Sequence, residues 1–404
     1  MKAIHTSDWH IGQTFYGIDR SIEHLHFLEQ LCHIVKKEQP DVFIISGDVY
    51  DSVAPSIASQ KLYNRMLLQL HATLPEMKIV VTAGNHDSSS RLELNEELWS
   101  VFDVNIVGNI ERRENIVNYE RHIIEIKGPH NKPCCYIIAI PYIYHANYPA
   151  IDDDNISSKM YAFHQRLIDM VNERNSHNIP IIMTGHLAVS GANIKGHETT
   201  QMRLVYENIE ELGKGYDYLA LGHIHHPQQV IGTKNARYSG SPFPMSFDED
   251  YQHSISVIEI EKHGDIPTIK VHKIEPLIPL CTIPSDGGGD INEVLQAIEQ
   301  LDDKRSYVRV KLKVADVIPM NERRIIEEKF NDISSELCEI SPVRQKLNSQ
   351  KKEDTSSLDI QQLSPMEIAM DYYSRLYGCE MDDELKKMFF ECMESVEKGE
   401  REKS

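Results

Sequence analysis

The sequence predicts a layered α/β fold for most of the chain. Short apolar runs rich in β-branched residues, such as the VFIIS before Gly47, alternate with longer amphipathic stretches up to about residue 275. Strand–helix–strand repetition of this kind is typical of sheets covered by helices. Five of the apolar runs are followed by Asp, Asn or His residues. Because ligands bind at the carboxyl edge of an open α/β sheet, these residues predict a functional site at that edge.

The amphipathic stretches predict helices with one apolar face. In residues 21–37 the apolar positions at helical spacing are Ile22, Leu25, Leu28, Leu31, Cys32 and Val35. In residues 58–71 they are Leu62, Met66, Leu67 and Leu70. Spacings of three and four place such side chains on one side of a helix. Residues 254–261 and 268–274 instead alternate polar and apolar side chains, which predicts antiparallel strands with one solvated face.

Residues 282–345 predict a small α+β domain that begins near a run of three glycines, 287–289. A short amphipathic helix, a strand over residues 307–314 and a second helix at about 321–331 follow. In the strand, Val308, Val310, Leu312 and Val314 face inward, whereas Arg309, Lys311 and Lys313 form a basic strip. Such a strip is either an ordinary solvated edge or a contact for the phosphates of a nucleic acid.

The C-terminal part of the chain predicts a linker and two helices. Residues 346–362 are polar and lack an apolar period, which is typical of a flexible linker. The segment Ser364-Pro-Met-Glu367 then reads as a capping box with proline at the first helical position. A second helix could begin at Asp382. Each helix has an apolar stripe with no obvious core nearby, which favours binding to a partner over docking on its own domain.

Composition is that of a globular protein of two or three domains. The chain has 404 residues, of which 41% are hydrophobic and 26% charged. No apolar run approaches the roughly 20 residues that a membrane span needs. The seven cysteines show no CxxC spacing and the N-terminus shows no secretory pattern. We therefore expect reduced thiols and a cytoplasmic location.

The net charge of −20 bears on the class of substrate. Proteins that neutralise nucleic-acid phosphates by themselves usually present a basic field. Either the substrate is not a polyanion, or DNA is held by metal ions, a local basic strip and a partner protein. Composition does not decide between these alternatives.

Five short motifs supply the candidate site. They are Asp8-Trp-His10, Gly47-Asp48-Val-Tyr-Asp51, Gly84-Asn85-His86-Asp87, Gly185-His186 and Gly222-His223-Ile-His225. A single histidine after a strand is more often structural than a ligand, but the five motifs in this order are a strong joint pattern. Oxygen and imidazole ligands of this kind suit Mn²⁺, Fe²⁺ or Zn²⁺ better than Ca²⁺. One carboxylate such as Asp48 can bridge two ions, ~3.5–4 Å apart, that clamp a phosphate.

With these motifs the chain resembles the calcineurin-like metallophosphoesterase superfamily over about residues 1–245. The segments 5–12, 47–52 and 238–249 are also similar to the SbcD family of bacterial double-strand-break repair nucleases. The resemblance implies a layered metallophosphoesterase β-sandwich flanked by helices. It implies a nuclease domain at 1–281, a small α+β capping domain at 282–345, a flexible linker at 346–362 and a C-terminal helical partner-binding segment at 363–404.

Carried over position by position, the resemblance also implies two divalent metal ions, expected to be Mn²⁺. The implied ligands of the first ion are Asp8, His10, Asp48 and His225. Those of the second are Asp48, Asn85, His186 and His223. His86 is implied to contact the scissile phosphate and to stabilise or protonate the leaving oxygen, with Asp51 supporting it.

The implied function is that of a DNA nuclease subunit in DNA repair and recombination. Its implied activities are double-strand exonuclease and endonuclease, including cleavage at hairpins and blocked ends. The implied partners are DNA and an SbcC-type ATPase, with a homodimer of this chain inside a heterotetramer. ATP turnover would belong to the partner, because this chain has no GxxxxGK[ST] loop. The alternatives are a stand-alone metallophosphoesterase on a small phosphodiester or phosphoprotein, and a scaffold with a degenerate site.

Overall fold

The computed structural model describes residues 1–344, except 115, 129–131, 151–157, 196–205, 286, 302–303 and 316, and six residues after 344. Those six are Met370, Tyr373, Met381, Leu385, Lys386 and Met388. The chain divides into two compact units, Met1–Gln345 and Lys346–Ser404. The predicted linker lies outside the described residues. Within the predicted C-terminal helices, the described residues other than Met381 are helical.

The first of two large sheets has six strands, and all strands are numbered here in chain order. Across this sheet they are β18 (Thr268–Lys273), β17 (Ser254–Glu259), β1 (Lys2–Thr6), β4 (Val42–Ser46), β5 (Lys78–Thr82) and β6 (Val104–Val107). Strands β1, β4, β5 and β6 run parallel. Strands β17 and β18 extend the sheet in antiparallel fashion, as predicted. The predicted solvated face is absent from β17, which is buried on both faces because it lies between β1 and β18 in the sheet.

The second large sheet also has six strands. Its strands are β15 (Gln228–Gln229), β16 (Ala236–Tyr238), β14 (Tyr218–Gly222), β11 (Ile181–His186), β10 (Pro133–Ile138) and β9 (Ile123–Lys127). The four central strands run parallel, and the strand at each edge is antiparallel to its neighbour. Each sheet therefore sends several carboxyl ends toward one edge.

The two sheets pack face to face with helices on their outer surfaces. The layer between them contains an apolar cluster that includes Val42, Ile44 and Val80 of the first sheet and Ile137 and Ile182 of the second. The outer face of the first sheet is covered by helices α1 (Ser21–Glu38) and α2 (Ile57–Thr73), and that of the second by α5 (Lys159–Arg174). This arrangement confirms the predicted layered α/β fold. Among the described residues, no helix is both long and apolar enough to cross a membrane.

The buried face of α1 is rotated from the predicted one. Ile22 is exposed, whereas Glu23 and His24 are buried. The reason is polar: Glu23 accepts two hydrogen bonds from the buried guanidinium of Arg20. The His24 ring also lies 2.7 Å from the carbonyl oxygen of Trp9. Because of these polar contacts, Glu23 and His24 are buried, although a pattern based on apolar residues alone predicts that they are exposed.

A third sheet follows in the same unit. Its strands β19 (Leu280–Ile283), β20 (Tyr307–Val314) and β21 (Glu336–Arg344) run parallel, with helices α6 (Ile291–Glu299) and α7 (Met320–Phe330) in the connections. The inward side chains of β20 pack with both helices in one apolar cluster. The alternation within β20 is therefore as predicted, because only one face of this sheet is covered by helices.

Two of the three cations in the basic strip on β20, Arg309 and Lys313, have acidic neighbours. Arg309 donates to Asp248 across 2.9 Å, and its guanidinium lies 5.1 Å from the centre of the Phe247 ring. Lys313 lies 3.8 Å from a carboxylate oxygen of Glu293. Arg309 therefore joins the third sheet to the loop after β16, and contact of the strip with nucleic-acid phosphates stays a prediction.

The remaining elements are short. They are β2 (Thr14–Phe15), β3 (Ile18–Asp19), β7 (Arg112–Arg113), β8 (Ile116–Val117), β12 (Ala188–Val189), β13 (Tyr206–Glu207), α3 (Ser89–Leu92) and α4 (Glu96–Ser100). Among the described residues, three 3₁₀ turns cover Tyr119–His122, His145–Asn147 and Ile209–Leu212.

Candidate metal centre

The candidate site lies where strands of both large sheets end. Asp8, Asp48 and Asn85 follow β1, β4 and β5 of the first sheet, whereas His186 ends β11 and His223 follows β14 of the second. The sequence predicted one edge of an open sheet. The structure instead builds the site from two sheets packed face to face, because their parallel strands end on the same side of the sandwich.

The backbone at the site is held in an uncommon conformation. Asp8, His10, Asp48 and His223 have φ values of 53°, 46°, 49° and 94°. Residues other than glycine rarely adopt positive φ, and where they do the surrounding structure must hold them. Here main-chain bonds hold two loops together, since Asp8 N donates to Gly47 O and His10 N to Asp48 O, each across 3.0 Å. The loops are therefore fixed relative to each other before any ligand binds.

Two glycines allow these loops to approach closely. A Cβ on Gly84 would overlap the backbone and carboxylate of Asp48, and a Cβ on Gly222 would overlap the carbonyl oxygen of Ser46. Any larger residue at either position would push a candidate ligand away, which accounts for the glycine before these motifs.

The first group of candidate ligands consists of Asp8, His10 and His225. Each offers an oxygen or nitrogen atom, and these atoms all lie within 4.8 Å of one another. Asp8 and His10 are buried. Asp8 also accepts a hydrogen bond from the backbone N–H of His223, across 2.9 Å, so its carboxylate is tied to the loop of the second group.

The second group consists of Asp48, His186, His223 and Asn85. Ligand atoms of the first three lie within 4.8 Å of one another. The side-chain oxygen of Asn85 lies 3.1 Å from Nε2 of His186 and 2.8 Å from Nδ1 of His223. Nδ1 of His186 donates to the carbonyl oxygen of Ser46 across 2.8 Å, which leaves Nε2 directed at the group.

Asp48 lies between the two groups. Its Oδ2 is 3.2 Å from Nε2 of His186 and 3.7 Å from Nε2 of His10. Its other oxygen accepts the backbone N–H of His86 across 2.8 Å. One carboxylate oxygen thus faces both groups, as a bridging ligand must.

The charges at the site shift the pKa values of its residues. Burial opposes ionisation of Asp48, but His186 and His10 hold the pKa of its carboxyl well below the usual value. Burial lowers the pKa of His10 and of His186, but nearby carboxylates outweigh it, chiefly Asp51 for His10 and Asp48 for His186. The pKa of each histidine is raised to about 9. Without another cation, His10 and His186 therefore hold protons that balance the nearby carboxylates.

The residues fit divalent cations. Within the described part of the chain, Nε2 of His10 is buried and makes no hydrogen bond. Such an atom normally has a partner, so a buried nitrogen beside a carboxylate is the expected state of a metal ligand whose ion is not shown. The mixture of carboxylate, amide and imidazole groups suits Mn²⁺, Fe²⁺ or Zn²⁺. That each group holds one ion stays a prediction.

His86 and Asp51 lie beside the first group, and Asp51 contacts His86 through its backbone. The main-chain carbonyl of Asp51 accepts from Nδ1 of His86 across 2.9 Å. The Asp51 carboxylate instead lies 3.2 Å from Nδ1 of His10. Asp51 therefore orients His86 through its backbone, and its side chain faces a candidate ligand.

Two acids with no role assigned from the sequence also contact this region. The carboxylate of Asp87 accepts backbone N–H groups of Val49, Tyr50 and Gly84 at 2.8–3.0 Å. Burial, with a contribution from Asp48, raises the pKa of Asp87 to about 6. Oε1 of Glu249 lies 3.3 Å from Nδ1 of His225. Asp87 belongs to a recognised motif, whereas nothing in the local sequence places Glu249 beside a histidine 24 positions earlier.

Two protein families match this chain. Residues 1–227, more than half of the chain, match the calcineurin-like phosphoesterase family. Residues 276–377 match a family described as the type 5 capsule protein repressor C-terminal domain. The candidate ligands lie within the first match, and the third sheet lies within the second.

Similar proteins cover most of the chain. Three relatives are named as the SbcD subunit of the nuclease SbcCD. The one from Rhodobacter capsulatus is 28% identical over 74% of this chain and 76% of its own length. The one from Escherichia coli K12 is 26% identical over 92% of this chain and 93% of its own length. The one from Bacillus subtilis 168 is 26% identical over 98% of this chain and 99% of its own length.

Proposed function

Because the chain belongs to the calcineurin-like phosphoesterase family, as its motifs predicted, we propose that it is a metal-dependent DNA nuclease that works as a subunit with an SbcC-type ATPase. The observation that carries the phosphodiesterase activity is the position of Asp48, whose Oδ2 faces both groups of candidate ligands. The observation that carries DNA as the substrate is the similarity to three proteins named as nuclease subunits over most of their length.

In this proposal the first ion is held by Asp8, His10, Asp48 and His225, and the second by Asp48, Asn85, His186 and His223. We take both ions to be Mn²⁺. When bound, a pair of divalent cations supplies Lewis-acid stabilisation of the phosphoryl group and a nucleophile derived from water. The chain contributes rigid ligand geometry through its positive-φ loops and the carbonyl oxygen of Ser46.

His86 acts on the substrate in this proposal. Its Nδ1 must carry a hydrogen, because the carbonyl oxygen of Asp51 can only accept. In the imidazolium form Nε2 also carries a hydrogen, which it can donate to a non-bridging phosphate oxygen or give to the leaving oxygen. The His86 ring centre lies 4.9 Å from that of His10, so this nitrogen acts close to the first group.

The partner assignment depends on the C-terminal region. The second family match ends at residue 377, within the predicted helices, and the relative from Bacillus subtilis extends over nearly the whole chain. We propose that residues 363–404 bind the ATPase through their apolar stripes. Truncation after Gln350 should abolish co-purification with an SbcC-type ATPase. Retention of the ATPase by the truncated chain would contradict this assignment.

We also propose that two copies of this chain associate. Leu94, Leu98, Val101 and Phe102 are exposed around α4, and Leu68 of α2 is exposed as well. The Phe102 ring packs on His71 of α2, with centres 5.4 Å apart, so the two helices present a continuous apolar surface. An exposed apolar patch of this kind suits the interface of a two-fold dimer.

One experiment separates the proposed function from its alternatives. The pure chain is incubated with Mn²⁺, with and without an SbcC-type ATPase, on hairpin DNA and on bis-p-nitrophenyl phosphate. We expect cleavage of both substrates, with the ATPase stimulating cleavage of DNA. Cleavage of the small ester alone would point to a small-substrate phosphoesterase, and cleavage of neither would point to a scaffold.

A further inference from the structure

Two cavities meet at the candidate metal centre. The larger has a volume of 620 Å³ and is bordered by Gly84, Asn85 and Asp87 on the side of the site. The smaller has a volume of 290 Å³ and is bordered by Asn85, His186 and His223. Both volumes are of the order of those that hold small organic groups, roughly 300–1,000 Å³. Asn85 borders both cavities, so a group at the metal centre can extend into either.

A ridge of three residues, Tyr142–Tyr144, separates the two cavities, because all three border both of them. Tyr142 is anchored to the site, since its backbone N–H donates to Ala83 O across 2.8 Å. Its ring also lies edge-on to that of His186, with centres 6.3 Å apart. The Tyr144 ring packs edge-on against Tyr142 at 5.1 Å and is 64% exposed.

The two cavities differ in chemistry. Asn109, Arg112 and Asn147 give the larger one polar groups and a positive charge. The Arg112 guanidinium is fixed at its rim by a 2.6 Å hydrogen bond to the carbonyl oxygen of Asn147. The smaller cavity is bordered mainly by apolar and aromatic side chains, among them Pro141, Tyr148 and Met160, and at one place by the ion pair of His145 and Glu207. The larger cavity therefore suits a sugar and the next phosphate of a strand, and the smaller one suits the flat face of a base.

We propose that the two nucleosides joined by the scissile phosphate lie in these two cavities, one on each side of the ridge, with Tyr144 stacking on a base. This inference rests on the proposed DNA nuclease function. A phosphodiester at the metal centre has one nucleoside on each side, and the structure offers one cavity on each side of Asn85. A ridge between neighbouring bases also prevents their stacking on each other, so the strand is unstacked at the cleaved step.

The test compares three phosphodiesters that carry different numbers of nucleosides. They are bis-p-nitrophenyl phosphate, thymidine 5′-(p-nitrophenyl phosphate) and a short single-stranded oligodeoxynucleotide. For each substrate, kcat/KM is measured in Mn²⁺ for the unaltered chain and for Tyr144→Ala. The first value is then divided by the second. We expect this ratio to rise along the series and to be roughly 10- to 100-fold larger for the oligonucleotide than for the nitrophenyl diester.

Two control variants are included. Tyr144→Phe keeps the ring and should restore cleavage of the oligonucleotide, because stacking does not need the hydroxyl. Tyr16→Ala removes another exposed tyrosine ring that borders neither cavity and should leave the three rates unchanged. The inference would be overturned if the ratio of kcat/KM were equal for all three diesters, or if Tyr144→Phe were as impaired as Tyr144→Ala. In either case, cleavage of DNA by the unaltered chain would still uphold the nuclease function. If the unaltered chain cleaves only the nitrophenyl diesters, the nuclease function itself fails, and the inference with it.

Discussion

Oε1 of Glu249 lies 3.3 Å from Nδ1 of His225, and the Glu249 side chain is fully buried. The other oxygen of this carboxylate accepts the backbone N–H of Met245 across 3.1 Å, which fixes its direction. A carboxylate on one ring nitrogen of a histidine sets the tautomer and turns the other nitrogen toward a metal. The preceding residue, Asp248, pairs with Arg309 of β20, so the third sheet supports the loop that carries Glu249.

Glu249→Ala should therefore weaken binding of Mn²⁺ by roughly 10- to 100-fold, because His225 loses the group that orients it. Glu249→Gln should recover part of the affinity, since its amide oxygen can still accept from Nδ1. Isothermal titration calorimetry measures both variants, and Asp250→Asn is a matched control at the next, exposed position. Unchanged affinity in a folded Glu249→Ala chain would show that His225 needs no such support.

His86→Gln should spare metal binding and reduce turnover. The ring is oriented by the backbone of Asp51, and we assign it to the substrate and not to an ion. Loss of a positioned acid typically costs roughly 10²- to 10⁴-fold in rate. The measurement is kcat on bis-p-nitrophenyl phosphate together with metal content. A variant that loses bound metal would refute the assigned role.

Stability should depend on the pH through Glu38. Its Oε1 lies 2.5 Å from Nζ of Lys270 and 2.9 Å from Nε2 of His272. The hydrogen bond from Lys270 lowers the pKa of Glu38, and His272 lowers it further, whereas burial raises it. The net effect is a pKa of about 2, compared with the ordinary value of 4.5. Because the folded-state pKa is depressed, the stabilisation is complete above about pH 4.5 and is lost as the pH falls toward 2.

Glu38→Gln should consequently lower the free energy of unfolding by roughly 1–3 kcal/mol at pH 7. The difference from the unaltered chain should shrink progressively below pH 4.5. Urea unfolding between pH 7 and pH 3 measures it. Glu29→Gln, on the exposed side of the same helix, should change little at any pH. A difference that does not vary with pH would mean that the Glu38 carboxylate contributes by packing and not by its charge.

Leu98→Glu should convert a dimer of this chain to a monomer. Leu98 is 67% exposed within the apolar surface around α4, and a charge there could not be buried against a second copy. Light scattering after size-exclusion chromatography gives the mass. Ile266→Glu is a matched control, since Ile266 is also 67% exposed but lies in the turn between β17 and β18. A dimer that survives the Leu98 change would place the interface elsewhere.

The sequence allowed the strands, the main helices and the candidate ligands to be predicted, because each leaves a local pattern. Strand ends followed by Asp, Asn or His marked Asp48 and His186 without any knowledge of the fold. What it did not reveal depends on distant contacts. Glu23 is drawn inward by Arg20, and Glu249 meets His225 only once β14 and the loop after β16 are packed together. Asp51 contacts His86 through its backbone and His10 through its carboxylate. This division also depends on the geometry of the loop, which the sequence does not show.

The most direct test of the central claim is the number of Mn²⁺ ions bound per chain, measured by mass spectrometry of the dialysed protein. The unaltered chain should bind two ions. Asp48→Asn should bind at most one and cleave neither DNA nor bis-p-nitrophenyl phosphate, because Oδ2 of Asp48 faces both groups of ligands. Asp103→Asn, a control at an exposed surface acid, should still bind two. One ion in the unaltered chain, or two in Asp48→Asn, would contradict the account.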